Sequence, residues 1–391
     1  MAAPAGVNRP AARRVRAAVR AALDRLGATG EEARRAPPLV GCSGGADSTA
    51  LVHAVREAVD GPVHALVVDH GLQEGSAERS AALAAALCAS GVDARVQRVR
   101  VAGPGGTEAA ARRARRAALL AARPHPSSAV LLGHTLDDQA ETVLLGLARG
   151  SGARSLAGMR PWSPPWLRPL LGLRRADTAS ACAELGLPVW EDPHNADPRF
   201  TRVRVRREVL PLLEEVLGGG VAQALARTAA QLGDDDDALA QAAARLAAQA
   251  AATDGCGPGT GTAGPRSATQ GDRPATASGA RPGDLSDSGG TGSGRAEPAP
   301  PAADGLCDPA TPSLDTAVLA AAPAAVRRRV LREWLTEHGV RALTDEQLRR
   351  ADDLVGRWRG QGGPTLGGGL ELVRTRGRLV LRRRRWGRDR A

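Results

Sequence analysis

The chain has 391 residues, a formal net charge of +11, and 53 basic residues that are all arginine, since lysine occurs nowhere. A Walker A loop, a pyridoxal or other Schiff-base lysine, and lysyl-adenylate ligase chemistry are therefore excluded. With Tyr 0, Phe 1 and Trp 6, any core must be built mainly from Ala, Leu and Val, and the length allows about two ordinary domains.

At the N-terminus Val15, Val19, Leu23 and Leu26 recur at helical spacing, while Arg13, Arg14, Arg16 and Arg20 interrupt any apolar signal region. The pattern predicts an amphipathic first helix within residues 1–37. No segment approaches the roughly 20 apolar residues of a membrane span, so no membrane partner is expected. The five cysteines (Cys42, Cys88, Cys182, Cys256 and Cys307) form no C-x-x-C pair, which argues against a disulfide framework, a zinc site or a redox cofactor and fits a reducing cytoplasm.

From residue 38 to 217 short apolar runs alternate with longer helical stretches. Strands are predicted at 39–42, 63–68, 92–99 and 129–132, and helices at 48–59, 76–90, 108–123 and 138–149. This alternation predicts an α/β domain with a doubly wound parallel sheet. A helical, Ala-rich connector follows at 218–252. Residues 253–312 hold only Leu285 and Leu306 as large aliphatics; too little apolar surface is available to offset ordering entropy, so a disordered linker is predicted. Its Gly259, Gly261 and Gly264 match G-x-G-x-x-G, but no strand precedes them and no helix follows. The run from Asp234 to Asp237 reads as a solvated helix face.

Residues 313–391 return to helical periodicity and end in a β-hairpin, giving a small, mainly helical and basic domain. Nine of the last eighteen residues are arginine, among them Arg382, Arg383, Arg384 and Arg385. Such local charge points to a polyanion, nucleic acid above all.

The chemistry concentrates in Ser43-Gly44-Gly45-Ala46-Asp47-Ser48, between the first strand and a helix. Paired glycines allow close backbone approach to an anion, and the helix N-terminus offers free N–H groups and its positive dipole end. Asp47 would repel phosphate unless it holds Mg²⁺. Asp137, Asp138 and Glu141 begin a later helix, with 137 and 141 on one face by i,i+4 spacing. Acids so placed bind Mg²⁺, accept protons from an attacking amine, or cap the helix.

The SGGxDS run resembles the signature of the PP-loop, or N-type, ATP pyrophosphatases. Val68-Asp69-His70-Gly71-Leu72, Glu108 with Arg112 and Arg115, His134 through Thr142, Arg149-Gly150-Ser151-Gly152, Arg168-Pro169-Leu170-Leu171, and Glu191-Asp192 with Asn195 and Asp197 narrow the likeness to the tRNA(Ile)-lysidine synthetases. Thr135 stands where that family often has a second histidine, and Val203 where it usually has asparagine. The resemblance implies a PP-loop catalytic domain at 38–217 that uses ATP and Mg²⁺, with Asp47 and Asp137 as the metal-holding acids. It implies that Asp47, Asp137, Asp138 and Glu141 are catalytic and that residues 43–48 bind ATP. Glu108, Arg112, Arg115, His134, Arg202, Arg204, Arg206 and Arg382 to Arg385 become candidates for substrate and tRNA contacts. The implied partners are a CAU-anticodon tRNA(Ile) and free L-lysine, with a homodimer left open. A PP-loop thiolase and a non-catalytic nucleotide or RNA binder are the alternatives; the first usually needs paired cysteines, and the four acids argue against the second.

Overall fold

A computed structural model describes residues 9–28, 30–104, 106–150, 152–190, 197–252 and 312–383. The chain divides into two compact units, residues 1–238 and 239–391. The linker (all but Pro312), Cys256, Cys307, the three linker glycines, Glu191, Asp192, Asn195, Arg384 and Arg385 lie outside the described residues.

The first unit runs α1 (Pro10–Arg25), α2 (Gly30–Arg35), β1 (Leu39–Cys42), α3 (Ala46–Ala58), β2 (His64–Asp69), α4 (Ser76–Ala89), β3 (Asp93–Arg98), α5 (Gly106–Ala121), β4 (Val130–Leu132), α6 (Leu136–Leu147), α7 (Ala153–Leu156), β5 (Trp162–Ser163), β6 (Trp166–Leu167) and α8 (Arg175–Leu185). Then come α9 (Thr201–Arg204), a π-helical turn (Val205–Val209), α10 (Leu210–Val216) and α11 (Val221–Ala252), whose last residues belong to the second unit.

The sheet order is β3-β2-β1-β4-β6-β5, parallel except for the antiparallel edge pair β5–β6. Side chains alternate across a strand, and in β1, β2, β4 and β6 both sets are largely buried, while the edge strands β3 and β5 are mostly exposed. Val40, Cys42, Ala65, Val67, Leu131 and Leu167 pack with the α1, α3 and α8 layer, whereas Leu39, Leu66, Val130, Leu132 and Trp166 pack with Ala118 and Leu119 of α5. The doubly wound α/β expectation is thus borne out. Its one departure is the two-residue β5 and β6, too short to leave a strand signature in the sequence.

The first helix lies on this core. Ala11, Val15, Val19, Ala22 and Leu23 are buried along one stripe. Pro10 suits the first helical turn, and Glu184 of α8 accepts hydrogen bonds from the free N–H groups of Ala11 (3.1 Å) and Ala12 (2.9 Å). Asp236 and Asp237 are not simply solvated: Arg160 reaches them at 3.5 and 2.9 Å.

The second unit packs α12 (Thr316–Ala320), α13 (Ala324–Glu337) and α14 (Asp345–Gly356) on an antiparallel sheet of order β7-β10-β9-β8, with β7 at Ser313–Asp315, β8 at Thr365–Leu366, β9 at Leu370–Thr375 and β10 at Arg378–Arg383. Leu314, Leu331, Leu335, Leu354, Leu372 and Leu379 form its core. The hairpin turn is Arg376-Gly377, both at positive φ (47° and 76°), the two-residue geometry that matches strand twist.

Among the described residues no single helix is long and apolar enough to cross a membrane.

Candidate active site

β1 lies between β2 and β4, so the chain winds away in opposite directions from the β1–β4 pair and leaves a crevice beyond their carboxyl ends. Residues 43–48 occupy it from one side and residues 133–138 from the other. Contact is close enough to demand glycine: a Cβ on Gly133 would sit 2.9 Å from the Asp47 carbonyl oxygen and 3.1 Å from the Ser48 nitrogen.

The loop after β1 is preorganised by its own hydroxyls. Ser48 Oγ accepts from the Ser43 N–H at 3.1 Å and donates to the Gly45 carbonyl at 3.0 Å, while Thr49 donates to the Gly44 carbonyl at 3.2 Å. Gly44 has φ +84°, a conformation open to glycine. Gly45 ends the loop as the N-cap of α3 and supplies no capping side chain, so the first N–H groups of α3 stay available to an anion.

Asp47, Asp137, Asp138 and Glu141 converge on one residue, Arg175, in the first turn of α8. Its Nη2 is 2.8 Å from Asp138 Oδ1, its Nε 3.4 Å from Asp47 Oδ2, its Nη1 3.6 Å from Glu141 Oε1, and its backbone N–H donates to Asp137 Oδ2 at 2.7 Å. Burial opposes the Arg175 charge, but the surrounding acids outweigh it and raise its pKa. Arg174 holds the other Asp137 oxygen at 3.0 Å, and Thr178 donates its hydroxyl to Asp47 Oδ1. Burial raises the pKa of Asp47, with Thr178 and Arg175 opposing. At Asp138 burial also pushes upward, yet Arg175, the Thr135 N–H, His134 and Arg206 prevail and hold the carboxyl below its usual range.

Asp138 serves a second purpose as the helix-capping acid: Thr135 donates to it from its N–H at 2.8 Å and from its hydroxyl at 3.1 Å. Thr135 is fully buried in that role, and Val203 is buried as well, at 7 % exposure. Glu141 is fully buried and is met by Arg206 at 2.7 Å and by Arg202 Nε at 3.1 Å. Asp137, Glu141, Arg174, Arg175, Arg206, Leu210, Pro211, Glu214 and Ala222 line a cavity of about 260 Å³.

Other candidate residues are distributed differently. Arg112 and Arg115 project from α5 and His134 follows β4; burial, aided by nearby arginines, pushes His134 down to about 3 and lowers both guanidinium pKa values. Glu108 is exposed in the first turn of α5. Arg204 turns away from the acid cluster and pairs with Glu208 at 2.9 Å, one helical turn on. Arg382 and Arg383 are exposed on β10 in the second unit, Arg382 pairing with Glu371 at 2.7 Å.

Sequence reasoning passed over Arg174, Arg175, Thr178 and Glu214. A signal existed: two arginines at the N-terminus of α8 oppose the helix dipole, and a local rule broken without local compensation marks a functional position. Among the described residues no group of three or more His, Cys, Asp or Glu side chains is arranged to hold a metal.

A family model of the PP-loop domain matches residues 17–213, and one of the TilS substrate binding domain matches residues 314–380. The chain is 51% identical over 351 residues to a tRNA(Ile)-lysidine synthase of Nocardia farcinica, covering 88% of this chain and 91% of that protein. It is 49% identical over 350 residues to the tRNA(Ile)-lysidine synthases of Mycobacterium bovis and Mycobacterium tuberculosis H37Rv, covering 88% of this chain and 90% of each relative. With a PP-loop nucleotide cradle, four acids gathered beside it and identity of this extent along both units, the chain belongs to the tRNA(Ile)-lysidine synthase family.

Proposed function

We propose that this chain makes lysidine on tRNA(Ile) in two steps. ATP held by residues 43–48 adenylates the C2 oxygen of the wobble cytidine in the CAU anticodon, releasing pyrophosphate. The ε-amine of free L-lysine then attacks C2, forming the carbon–nitrogen bond and expelling the oxygen with AMP. The observation that carries this reading is the acid-and-arginine cavity next to the nucleotide cradle. Such a cavity suits an amino acid with charges at both ends: Asp137 and Glu214 face an amine, Arg174 and Arg206 face a carboxylate, and Leu210, Pro211 and Ala222 line the methylene stem.

Each step has a group to serve it. The loop N–H groups and the α3 N-terminus stabilise charge developing on the phosphates. Asp137, on the cavity wall, receives the proton that the attacking amine loses. Asp47 and Asp137 are the acids that would hold Mg²⁺, carboxylate oxygens suited to a hard cation that would exchange their present contacts with Arg175, Arg174 and Thr178 for it. Magnesium, when bound, neutralises phosphate charge. The target base must leave its stack to be reached, which loop bases do at modest cost. Arginines of both units grip the tRNA backbone, and the reaction belongs in the cytoplasm with its substrates.

The test is incubation of the protein with CAU-anticodon tRNA(Ile), ATP and labelled lysine. Label should enter the tRNA with stoichiometric release of pyrophosphate rather than phosphate. Pyrophosphate release that depends on a sulfur donor and ignores lysine would overturn the reading.

A further inference from the structure

On the α5 face of the sheet lies a second polar group to which no step has been assigned. Arg168 immediately follows β6 and is 7 % exposed. Its Nη1 donates to the Arg160 carbonyl at 2.8 Å, but its Nε is buried without a partner, as is Nδ1 of His134. The two are neighbours, since the Arg168 charge acts directly on His134. Val130, Leu132 and Trp166 pack towards α5, and Trp166, two positions before Arg168, pairs in register with Val130, four before His134. From α5 come Arg112, Arg115 and Arg116, the last with its guanidinium 4.5 Å over the Trp166 ring.

This is concentrated positive charge, offset only from a distance by Glu108 and Asp138. Among the described residues no carboxylate lies within ion-pair distance of Arg112, Arg115, Arg116 or Arg168. Burial, reinforced by Arg116 and Arg112, pushes Arg168 down to about 10, so it remains charged at neutral pH. A buried guanidinium is costly unless an anion and hydrogen bonds satisfy it. Its planar fork matches phosphate oxygens, and a neutral imidazole adds a donor without adding repulsion. The nucleotide phosphates already have their cradle at the start of α3, on the other face of the sheet.

We propose that Arg168, Arg116 and Arg112, with His134, form a subsite for one backbone phosphate of the bound RNA, next to the nucleotide whose base enters the active site. The inference rests on tRNA being the substrate. Its role is to position: fixing one phosphodiester sets where the flipped base lies relative to ATP.

The test is filter binding of a CAU-anticodon tRNA(Ile) transcript, without ATP, across a salt series. Arg168→Gln and Arg116→Gln should each weaken binding about tenfold at 0.1 M salt and reduce the steepness of the salt dependence by about one unit. Arg20→Gln, exposed on α1 in the helix layer on the opposite face of the sheet, should leave the slope unchanged, and the KM for ATP should stay within about twofold in every variant. A single neutral methylphosphonate beside the wobble position should weaken wild-type binding but not that of Arg116→Gln. Unchanged affinity and slope in both Arg116→Gln and a still-folded Arg168→Gln would overturn the proposal. So would a raised ATP KM with intact tRNA binding, which would assign the anion to the nucleotide. Wild-type lysidine formation is measured separately, so a failed substrate assignment is distinguishable from a failed phosphate subsite.

Discussion

The guanidinium of Arg175 and the carboxylate of Asp138 meet at 2.8 Å, one from the first turn of α8 and the other from the first turn of α6, and each is less than a third exposed. Arg175 also touches Asp47 and Glu141, so this single side chain ties the nucleotide loop to the acid cluster. Arg175→Met leaves three carboxylates short of one cation. We expect a loss of about 2 kcal/mol, below the figure for a fully buried pair because water partly screens the site. Urea midpoints measure it, and the double variant Arg175→Met with Asp138→Asn should lose less than the sum of the two single losses.

Gly133 separates the β4 loop from the phosphate loop. In Gly133→Ala the new methyl would meet backbone atoms of Asp47 and Ser48, which cannot rotate aside. Overpacking of this kind costs about 1–3 kcal/mol, and the shift falls on the loop that holds ATP. Pyrophosphate release should drop at least about tenfold, with the KM for ATP raised. Wild-type kinetics would mean that the two loops stand farther apart in solution.

His134 makes stability depend on pH in a definite direction. Its pKa is pushed down to about 3 in the folded chain, against about 6.5 when unfolded. Above pH 6.5 neither state binds the proton and this residue contributes no slope. Between 6.5 and 3 the unfolded chain binds it first, so stability falls as pH falls, by up to about 1.4 kcal/mol per pH unit. Chemical denaturation at pH 7 and pH 5.5 should show His134→Gln losing less stability on acidification than the wild type.

Glu214 stands on the cavity wall and also accepts hydrogen bonds from Val221 and Ala222 at the start of α11, at 2.9 and 3.0 Å. Glu214→Gln retains an acceptor for the helix end but removes the charge. The KM for lysine should rise about tenfold, the value of one charge-assisted hydrogen bond, while those for ATP and tRNA hold. An equal rise in all three would point to a disturbed α11 instead of a lysine contact.

The linear chain determined a good deal by itself. Short apolar runs alternating with helical stretches specify a covered parallel sheet, because strands buried on both faces cannot read otherwise. Complete absence of lysine left a glycine and serine loop as the ATP cradle, and the local motif Ser43 to Ser48 needs only its flanking strand and helix to form. Asp137 and Glu141 were legible as partners because helical spacing fixes their common face. What tertiary structure decided is everything that depends on distant segments meeting. Arg175 lies 128 positions from Asp47, and no periodicity predicts that pairing; it follows from the sheet order, which sets the start of α8 over the carboxyl ends of β1 and β4. The same holds for Arg204 and Arg206, two residues apart. The backbone passes from α-helix at Arg204 into the π-helical turn that holds Arg206 and sends the two to different sides, so Arg206 reaches the buried Glu141 while Arg204 is left at the surface with Glu208.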